Sequence, residues 1–268
     1  MATLKINDIT LYYELLGDST NPPVLMISGL GGVGKSWGPQ IKLFSEKYYV
    51  ILPDQRGTGQ TTHADDGYST IQLADEMAAL IGEVNLGPVH VVGASTGGAI
   101  AQYLALNYPD IVRSITISSS FARFDEYMHR QFTIRRKMAA EWDWPEMYAG
   151  FSLFLFCPRF TREQPAKVNA WIERAVINPR QKNDREIGLK RIDMIATHDA
   201  LARLNEIKQP VLVICGNKNM CTPLPLSEEI VSAIPQAEFV LINEAGELIE
   251  IEKPEEYFER VSEFIDRY

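Results

Sequence analysis

The sequence predicts an α/β fold in which a mostly parallel, eight-stranded sheet is flanked by helices, with a helical cap inserted into it. Short apolar runs rich in Val, Ile and Leu recur along the 268 residues, and segments with apolar residues at helical spacing lie between them. Strands that alternate with helices form parallel sheets, because each helix returns the chain to the starting edge of the sheet. Between residues 121 and 200 this alternation stops, which predicts the insert.

The predicted elements are justified by their periodicity. The first two strands alternate apolar and polar residues around an Asn-Asp turn, whereas the later strands are continuously apolar and therefore buried. In chain order the predicted strands are Thr3–Ile6, Thr10–Leu15, Val24–Ser28, Tyr49–Leu52, Val89–Val92, Ile111–Ile117, Val211–Cys215 and Glu238–Ile242. The helices predicted around them are Trp37–Lys47, Ile71–Val84, Gly97–Asn107, Leu226–Ala233 and Pro254–Asp266.

Residues 121–200 are helical in character and rich in aromatic side chains. We therefore expect residues 1–120 and 201–268 to form the core and residues 121–200 to form a cap over it. An aromatic cap predicts a small, largely apolar ligand. Apolar cap residues are also needed to pack on the sheet, so packing alone is the alternative explanation of this composition.

Composition bounds the function. The net charge of −9 and the pI near 5.1 argue against nucleic-acid binding and against a basic membrane-binding surface. The N-terminus has no signal-peptide pattern, and no apolar run has the length and purity of a membrane span. The three cysteines have no metal-ligand spacing, so we expect no metal and no cofactor. A cytoplasmic monomer or homodimer fits these observations.

The segment Val91–Gly98 carries the strongest chemical signal. It is a buried strand, a tight G-x-S-x-G turn centred on Ser95, and a helix that begins at about Thr96. This pattern is a nucleophile elbow, in which a strained turn presents a serine hydroxyl at the edge of the sheet. A serine used in this way normally needs a histidine base and a carboxylate that orients the histidine.

A rival motif lies closer to the N-terminus. Gly29–Ser36 matches the phosphate-binding pattern G-x-x-x-x-G-K-[ST] and follows a strand, which on its own would indicate a nucleoside triphosphatase. A phosphate-binding loop continues directly into a helix, however, and Gly38-Pro39 would fall in that first turn. The nucleotide hypothesis also leaves the elbow unexplained.

Taken together, the elbow, the loop from Ile27 to Gly32, the segment from Asp54 to Gly59 and the mid-chain insert resemble the α/β-hydrolase superfamily almost end to end. The loop Ile27–Gly32 and the segment Asp54–Gly59 together look most like those of aminoacrylate hydrolases of pyrimidine breakdown. They also look like those of enol-lactone hydrolases and small capped esterases. The resemblance implies the α/β-hydrolase fold, hydrolysis of a carboxylic ester or lactone, and a small carbonyl-containing ligand.

The resemblance also assigns positions to the site. It implies that Ser95 is the nucleophile and that the backbone N–H groups of Leu30 and Thr96 form the oxyanion hole. Asn219 stands where the family has its acid, in the loop Gly216–Pro223. Glu247 stands where the family has its histidine. We expect Ser95, Asn219 and Glu247 to be adjacent.

No other residue is expected to replace the missing imidazole. His90 lies at a strand start and His198 in a helix, where structural roles are expected, while His63 and His129 are remote candidates for the pocket. Cys221 lies close to the acid loop, but nothing near it in the sequence would lower its pKa, so we expect an inert thiol.

A Ser–Asn–Glu site predicts unusual chemistry. An unperturbed carboxylate has a pKa about two units below that of histidine, so ordinary ester hydrolysis should be slow. An Asn–Glu pair avoids the repulsion of two carboxylates, and Asn219 can donate to Glu247. Three hypotheses follow: a hydrolase with weak or altered activity, a non-catalytic small-molecule receptor on the same fold, and the phosphate-loop triphosphatase.

Overall fold

The computed structural model describes residues 2–177 and 184–268 and contains one eight-stranded sheet. Its strands are β1 (Ala2–Ile6), β2 (Ile9–Leu16), β3 (Pro23–Ile27), β4 (Tyr49–Pro53), β5 (Val89–Ala94), β6 (Val112–Ser118), β7 (Val211–Gly216) and β8 (Ala237–Ile242). They lie in the order β1-β2-β4-β3-β5-β6-β7-β8. β2 is antiparallel to both of its neighbours and every other pair is parallel. The predicted mostly parallel eight-stranded sheet is confirmed.

Helices cover both faces of this sheet and also form the insert between β6 and β7. They are α1 (Gln40–Ser45), α2 (Thr70–Val84), α3 (Thr96–Asn107), α4 (Glu126–Glu141), α5 (Trp144–Leu155), α6 (Pro158–Glu163), α7 (Pro165–Ile177), α8 (Asp184–Ile195), α9 (Leu224–Ala233), α10 (Ile249–Glu252) and α11 (Pro254–Ile265). One apolar layer joins α2, α3 and α9 to the sheet, and a second joins α1 and α11 to the opposite face. The continuously apolar strands are buried because both of their faces are covered.

The helix predicted over Trp37–Lys47 is wrong at its start. A short 3₁₀ turn spans Gly34–Trp37, and α1 begins only at Gln40. Gly38 between them has a φ of 54°, a left-handed conformation that a regular helix does not contain. Pro39 follows and lacks an N–H, so it starts a helix and cannot continue one.

In the described residues the α-helices α4 to α8 lie between β6 and β7. Three of them, α4, α5 and α8, share an apolar cluster that reaches the core at Ala99 of α3 and Leu226 of α9, while α6 and α7 contribute to a second, smaller cluster. The two ends of the insert meet in an isolated antiparallel bridge between Arg123 and Asp199. This arrangement supports the proposed division into a core and a cap at residues 121–200, of which residues 178–183 lie outside the described residues.

Two further observations concern the described ranges 2–177 and 184–268. None of their helices combines the length and apolar character that crossing a bilayer requires. No cluster of three or more His, Cys, Asp or Glu side chains in these ranges could hold a metal ion.

Candidate active site

Ser95 lies in a strained turn between β5 and α3. Its φ of 53° and ψ of −120° are unusual for a residue with a side chain, and the side chain is only half-buried. Glycines on both sides permit this turn: a Cβ on Gly93 would collide with the carbonyl of Gly97, and one on Gly97 would collide with the carbonyl of Ile27. The elbow predicted from the motif is therefore present in the backbone.

The carboxylate of Glu247 is buried and held by two neighbours. Its Oε2 accepts hydrogen bonds from Asn219 Nδ2 at 2.8 Å and from Thr222 Oγ1 at 2.6 Å. Asn219 Oδ1 in turn accepts the backbone N–H groups of Cys221 and Thr222, both at 2.9 Å. These backbone donors fix which end of the amide faces Glu247, so Asn219 acts as a donor to the carboxylate.

The other oxygen of Glu247 is the one available to Ser95. Oε1 makes no hydrogen bond of ordinary geometry to any residue in the described part of the chain. Burial raises the pKa of Glu247 above its ordinary value, while interactions with Ser95, Thr222 and Asn219 oppose that rise. Ser95, which is half-buried, and Asn219, which is buried, thus both interact with the buried carboxylate of Glu247.

The two predicted oxyanion donors flank the serine. Gly29 packs directly on Ser95, since a Cβ on Gly29 would lie 3.3 Å from the Ser95 Cβ, and this places the loop that contains Leu30 against the elbow. The backbone N–H of Leu30 has no acceptor among the residues described. Thr96 is the first residue of α3, so its N–H has no acceptor within the helix. Neither of these N–H groups has an acceptor in the described part of the chain, and their role as an oxyanion hole stays a prediction.

None of the four histidines forms a hydrogen bond with Ser95. The buried pair, His90 and His198, bind neighbouring hydroxyl groups at 2.7 and 3.0 Å. Burial lowers their pKa to about 4 and about 3, which keeps both rings neutral at neutral pH. His63 lies 3.5 Å from the carboxylate of Asp184, and His129 is exposed. No imidazole replaces the one that the resemblance leads us to expect.

Arg135 of α4 is a site residue that the sequence analysis missed. Its guanidinium donates to Cys221 Sγ at 3.0 Å, and its Cζ lies over the rings of Phe132 and Phe151, at 4.6 and 4.9 Å from the ring centres. Its charge helps to lower the pKa of the nearby Glu247. In the sequence it belongs to a basic run that looks solvated. Its helical spacing from the apolar residues of α4 is the signal that could have revealed it.

Cys221 is buried beside this group. Burial, together with the charge of Glu247, raises the pKa of its thiol to about 12, although the charge and the hydrogen bond of Arg135 oppose the rise. A thiol with that pKa is protonated at neutral pH and is a poor nucleophile. The geometry agrees with the expectation of an inert thiol.

The segment Gly29–Ser36 does not have the geometry of a phosphate-binding loop. The N–H of Gly34 donates to Asp54 Oδ1 at 2.8 Å, so a carboxylate occupies a donor that a phosphate would need. Lys35 is largely exposed, and the hydroxyl of Ser36 donates to a backbone carbonyl at 2.6 Å. These contacts give the nucleotide hypothesis no support.

Comparison with known proteins agrees with the fold described above. The family model for the alpha/beta hydrolase fold matches residues 22–254. The chain belongs to the alpha/beta hydrolase fold family. Within that family, this α/β hydrolase has Glu and Asn at the positions where the resemblance leads us to expect His and Asp.

Its relatives and structural neighbours cover nearly the whole chain. RutD of Azorhizobium caulinodans, named as a carbamate hydrolase, is 32% identical over 231 residues, which are 86% of this chain and 85% of that protein. The enol-lactonase of Burkholderia xenovorans has a TM-score of 0.86 at 21% identity, with 99% and 100% of the two chains covered. A thermophilic esterase of Thermogutta terrifontis has a TM-score of 0.85 at 23% identity, with 100% and 99% covered. The last two likenesses show the fold.

Proposed function

We propose that this α/β hydrolase acts on a small carbonyl-containing ligand of the carboxylic ester or lactone class, with weak or altered activity. One observation carries the proposal: Ser95 in its strained elbow interacts with a buried carboxylate, Glu247, whose Oε1 has no hydrogen bond of ordinary geometry in the described residues. The relative named as a carbamate hydrolase supports a small carbonyl substrate. The apolar cap cluster around the site supports a largely apolar one.

The proposed steps use these groups in order. Glu247 takes the proton of the Ser95 hydroxyl while the serine oxygen attacks the carbonyl carbon of the ligand. The N–H groups of Leu30 and Thr96 bind the oxyanion that forms. Glu247 then returns the proton to the departing alkoxide, which leaves as an alcohol. A water molecule, deprotonated by Glu247, then attacks the acyl carbon. The bond from that carbon to Ser95 Oγ breaks, Glu247 returns the proton to the serine oxygen, and the acid leaves.

The carboxylate explains why the rate should be low. Burial brings the proton affinity of Glu247 closer to that of an imidazole, which favours its use as a base. Two hydrogen bonds to Oε2 pull in the opposite direction, because they stabilise the ionised form. Serine hydrolases that lack members of the triad retain an acceleration of about 10³–10⁴ over water, and we expect this chain to lie in that range.

Hydrolysis of p-nitrophenyl acetate by the wild type, Ser95→Ala and Glu247→Gln tests the proposal. We expect a slow wild-type rate that rises with pH as Glu247 ionises, and a loss of at least about tenfold in each variant. Ser232→Ala, which changes an exposed serine of α9, is the matched control and should match the wild type. Equal rates for the wild type and Ser95→Ala would remove the serine from the mechanism.

A receptor function is the second candidate. It is favoured by the same absence of an imidazole, since a Ser95–Glu247 pair could recognise a ligand hydroxyl or amine without turnover. A ligand that raises the melting temperature and is recovered unchanged would support it, whereas steady product release would exclude it.

The other predictions have simple tests. A melting temperature unchanged by Mg-ATP would contradict the triphosphatase hypothesis. Cell fractionation and sedimentation test the proposed cytoplasmic location and the monomeric or homodimeric state.

A further inference from the structure

Arg191 of α8 reaches from the cap into the loops beside the active site. Its Nε donates to the Leu30 carbonyl at 3.0 Å, its Nη1 to the Arg56 carbonyl at 2.9 Å, and its Nη2 to Gln55 Oε1 at 2.7 Å. The side chain is 2% exposed. A single cap residue is therefore hydrogen-bonded both to the loop after β3 and to the loop after β4.

The charge of Arg191 is not neutralised by a carboxylate. In the described ranges no Asp or Glu oxygen lies within 4.0 Å of its guanidinium, and all three acceptors are neutral oxygens. Burial lowers its pKa to about 10, so it stays protonated at neutral pH. A buried cation is costly unless its donors are satisfied, so a cation kept in this place indicates that its three bonds matter.

The loop over residues 28–32, the oxyanion loop, is held through its carbonyl groups. Its bonds are Gln55 Nε2 to Ser28 O (2.6 Å), Gly32 N to Gly29 O (2.9 Å), Arg191 Nε to Leu30 O (3.0 Å), Gln55 N to Gly32 O (2.8 Å) and Thr58 Oγ1 to Gly32 O (3.0 Å). The loop is therefore anchored mainly through its carbonyl oxygens, and the N–H groups of Leu30 and Gly31 are left without an acceptor in the described residues.

Because peptide groups are planar, hydrogen bonds to the carbonyl oxygens of this loop also set the directions of its N–H groups. The C=O and N–H of one planar trans peptide point in opposite directions. The bond from Arg191 to Leu30 O therefore fixes where the Gly31 N–H points. The bond from Gly32 to Gly29 O does the same for the Leu30 N–H. Charged donors form stronger hydrogen bonds than neutral ones, so Arg191 is a firm anchor for this loop.

We propose that Arg191 is a positioning residue that seats the oxyanion loop against Ser95 and couples it to the cap through α8. When α8 is in place, the loop presents its free N–H groups. When α8 moves, the anchor at Leu30 is lost. The catalytic consequence rests on the proposed function, because it matters only if an oxyanion forms beside Ser95. The anchoring itself does not depend on turnover.

The test compares Arg191→Met and Arg191→Lys with the wild type, using phenylboronic acid and benzamide as probes. The boronate adds to a serine hydroxyl and places a negatively charged oxygen in the oxyanion hole, whereas benzamide stays neutral and planar. We expect Arg191→Met to weaken boronate binding at least tenfold with less than a twofold effect on benzamide. Arg191→Lys keeps the charge and a donor, so its boronate affinity should lie between those of the wild type and Arg191→Met.

Amide hydrogen exchange of residues 28–32 provides a readout that needs no chemistry at Ser95. We expect it to accelerate at least tenfold in Arg191→Met. The control is Arg136→Met, which removes an exposed cap arginine paired with Asp193 and should change neither binding nor exchange. If Arg191→Met does not fold, Arg191→Lys decides the question.

Boronate affinity and loop exchange that remain at wild-type values in a folded Arg191 variant would overturn the proposal. So would equal losses for boronate and benzamide, which indicate general loosening. Ser95→Ala separates this outcome from failure of the proposed function. If that variant binds boronate as tightly as the wild type, Ser95 is not the reacting group, while loop exchange still reports on Arg191.

Discussion

Replacing Asn219 with Asp tests the electrostatic basis of the site. In the structure the Asn219 Nδ2 lies 2.8 Å from Glu247 Oε2. An Asp would replace this donor with a second negative charge, and the centres of the two carboxylates would be about 4 Å apart. At an effective dielectric constant of about 20, the repulsion between them is about 4 kcal/mol. That energy corresponds to a rise of about three pKa units, so the pair should retain one proton.

The sign of the pH dependence follows. A carboxyl group whose pKa is raised by folding keeps its proton in the native state after the unfolded chain has lost it. Its presence therefore destabilises the native state increasingly as pH rises above the unfolded value. We expect Asn219→Asp to lower the free energy of unfolding by less than about 1 kcal/mol at pH 5 and by up to about 4 kcal/mol at pH 9.

Urea unfolding followed by tryptophan fluorescence at pH 5, 7 and 9 measures this penalty. Asn217→Asp, a similar substitution in the same loop at a partly exposed position, is the control and should show little pH-dependent loss. Adding Glu247→Gln to Asn219→Asp should recover most of the loss, because the new amide can donate to the new carboxylate. A penalty that is the same at all three pH values would refute the electrostatic reasoning.

Three further predictions follow from the same structure. The double variant Asn219→Asp with Glu247→His should hydrolyse p-nitrophenyl acetate at least about 100-fold faster than the wild type, and a folded variant without gain would show that more than the base is missing. Burial raises the pKa of Glu250 to about 8, so this group lowers the free energy of unfolding as pH rises from about 4.5 to 8. Glu250→Gln should therefore reduce the change of the urea midpoint between those pH values, and a change as large as that of the wild type would contradict this prediction. Gly97→Ala should lower the free energy of unfolding by at least about 2 kcal/mol, because a Cβ has no room there. Gly82→Ala, where a Cβ meets open space, should raise it by up to about 1 kcal/mol. Thermal melts that rank the two variants in the opposite order would contradict the packing.

The elbow and the sheet could be predicted because their signals are local. β5 appears in the sequence as a continuous apolar run, since a central strand covered on both faces needs apolar residues throughout. The sharp turn at Ser95 is visible because close backbone approach at Gly93 and Gly97 excludes every side chain. The start of α1 was predicted too early, although Gly38 and Pro39 carried a local signal for it.

Contacts between distant segments left no such signal. Thr222 supplies the shortest hydrogen bond to Glu247 across 25 positions, and a threonine in a loop gives no indication of that partner. Arg135 and Arg191 look like solvated helix residues when the sequence is read alone. The fold turns both into the interior, where one adjoins Cys221 and the other binds Leu30 across 161 positions.

The sequence by itself determined the α/β architecture and the position of the candidate nucleophile, because periodicity and steric exclusion act between residues that are close in the chain. Only the tertiary structure decided which polar groups surround that serine, which hydrogen bonds they form and how their pKa values shift. Burial and hydrogen bonding depend on what the folded chain brings alongside, and the raised pKa of Glu247 is set by that environment.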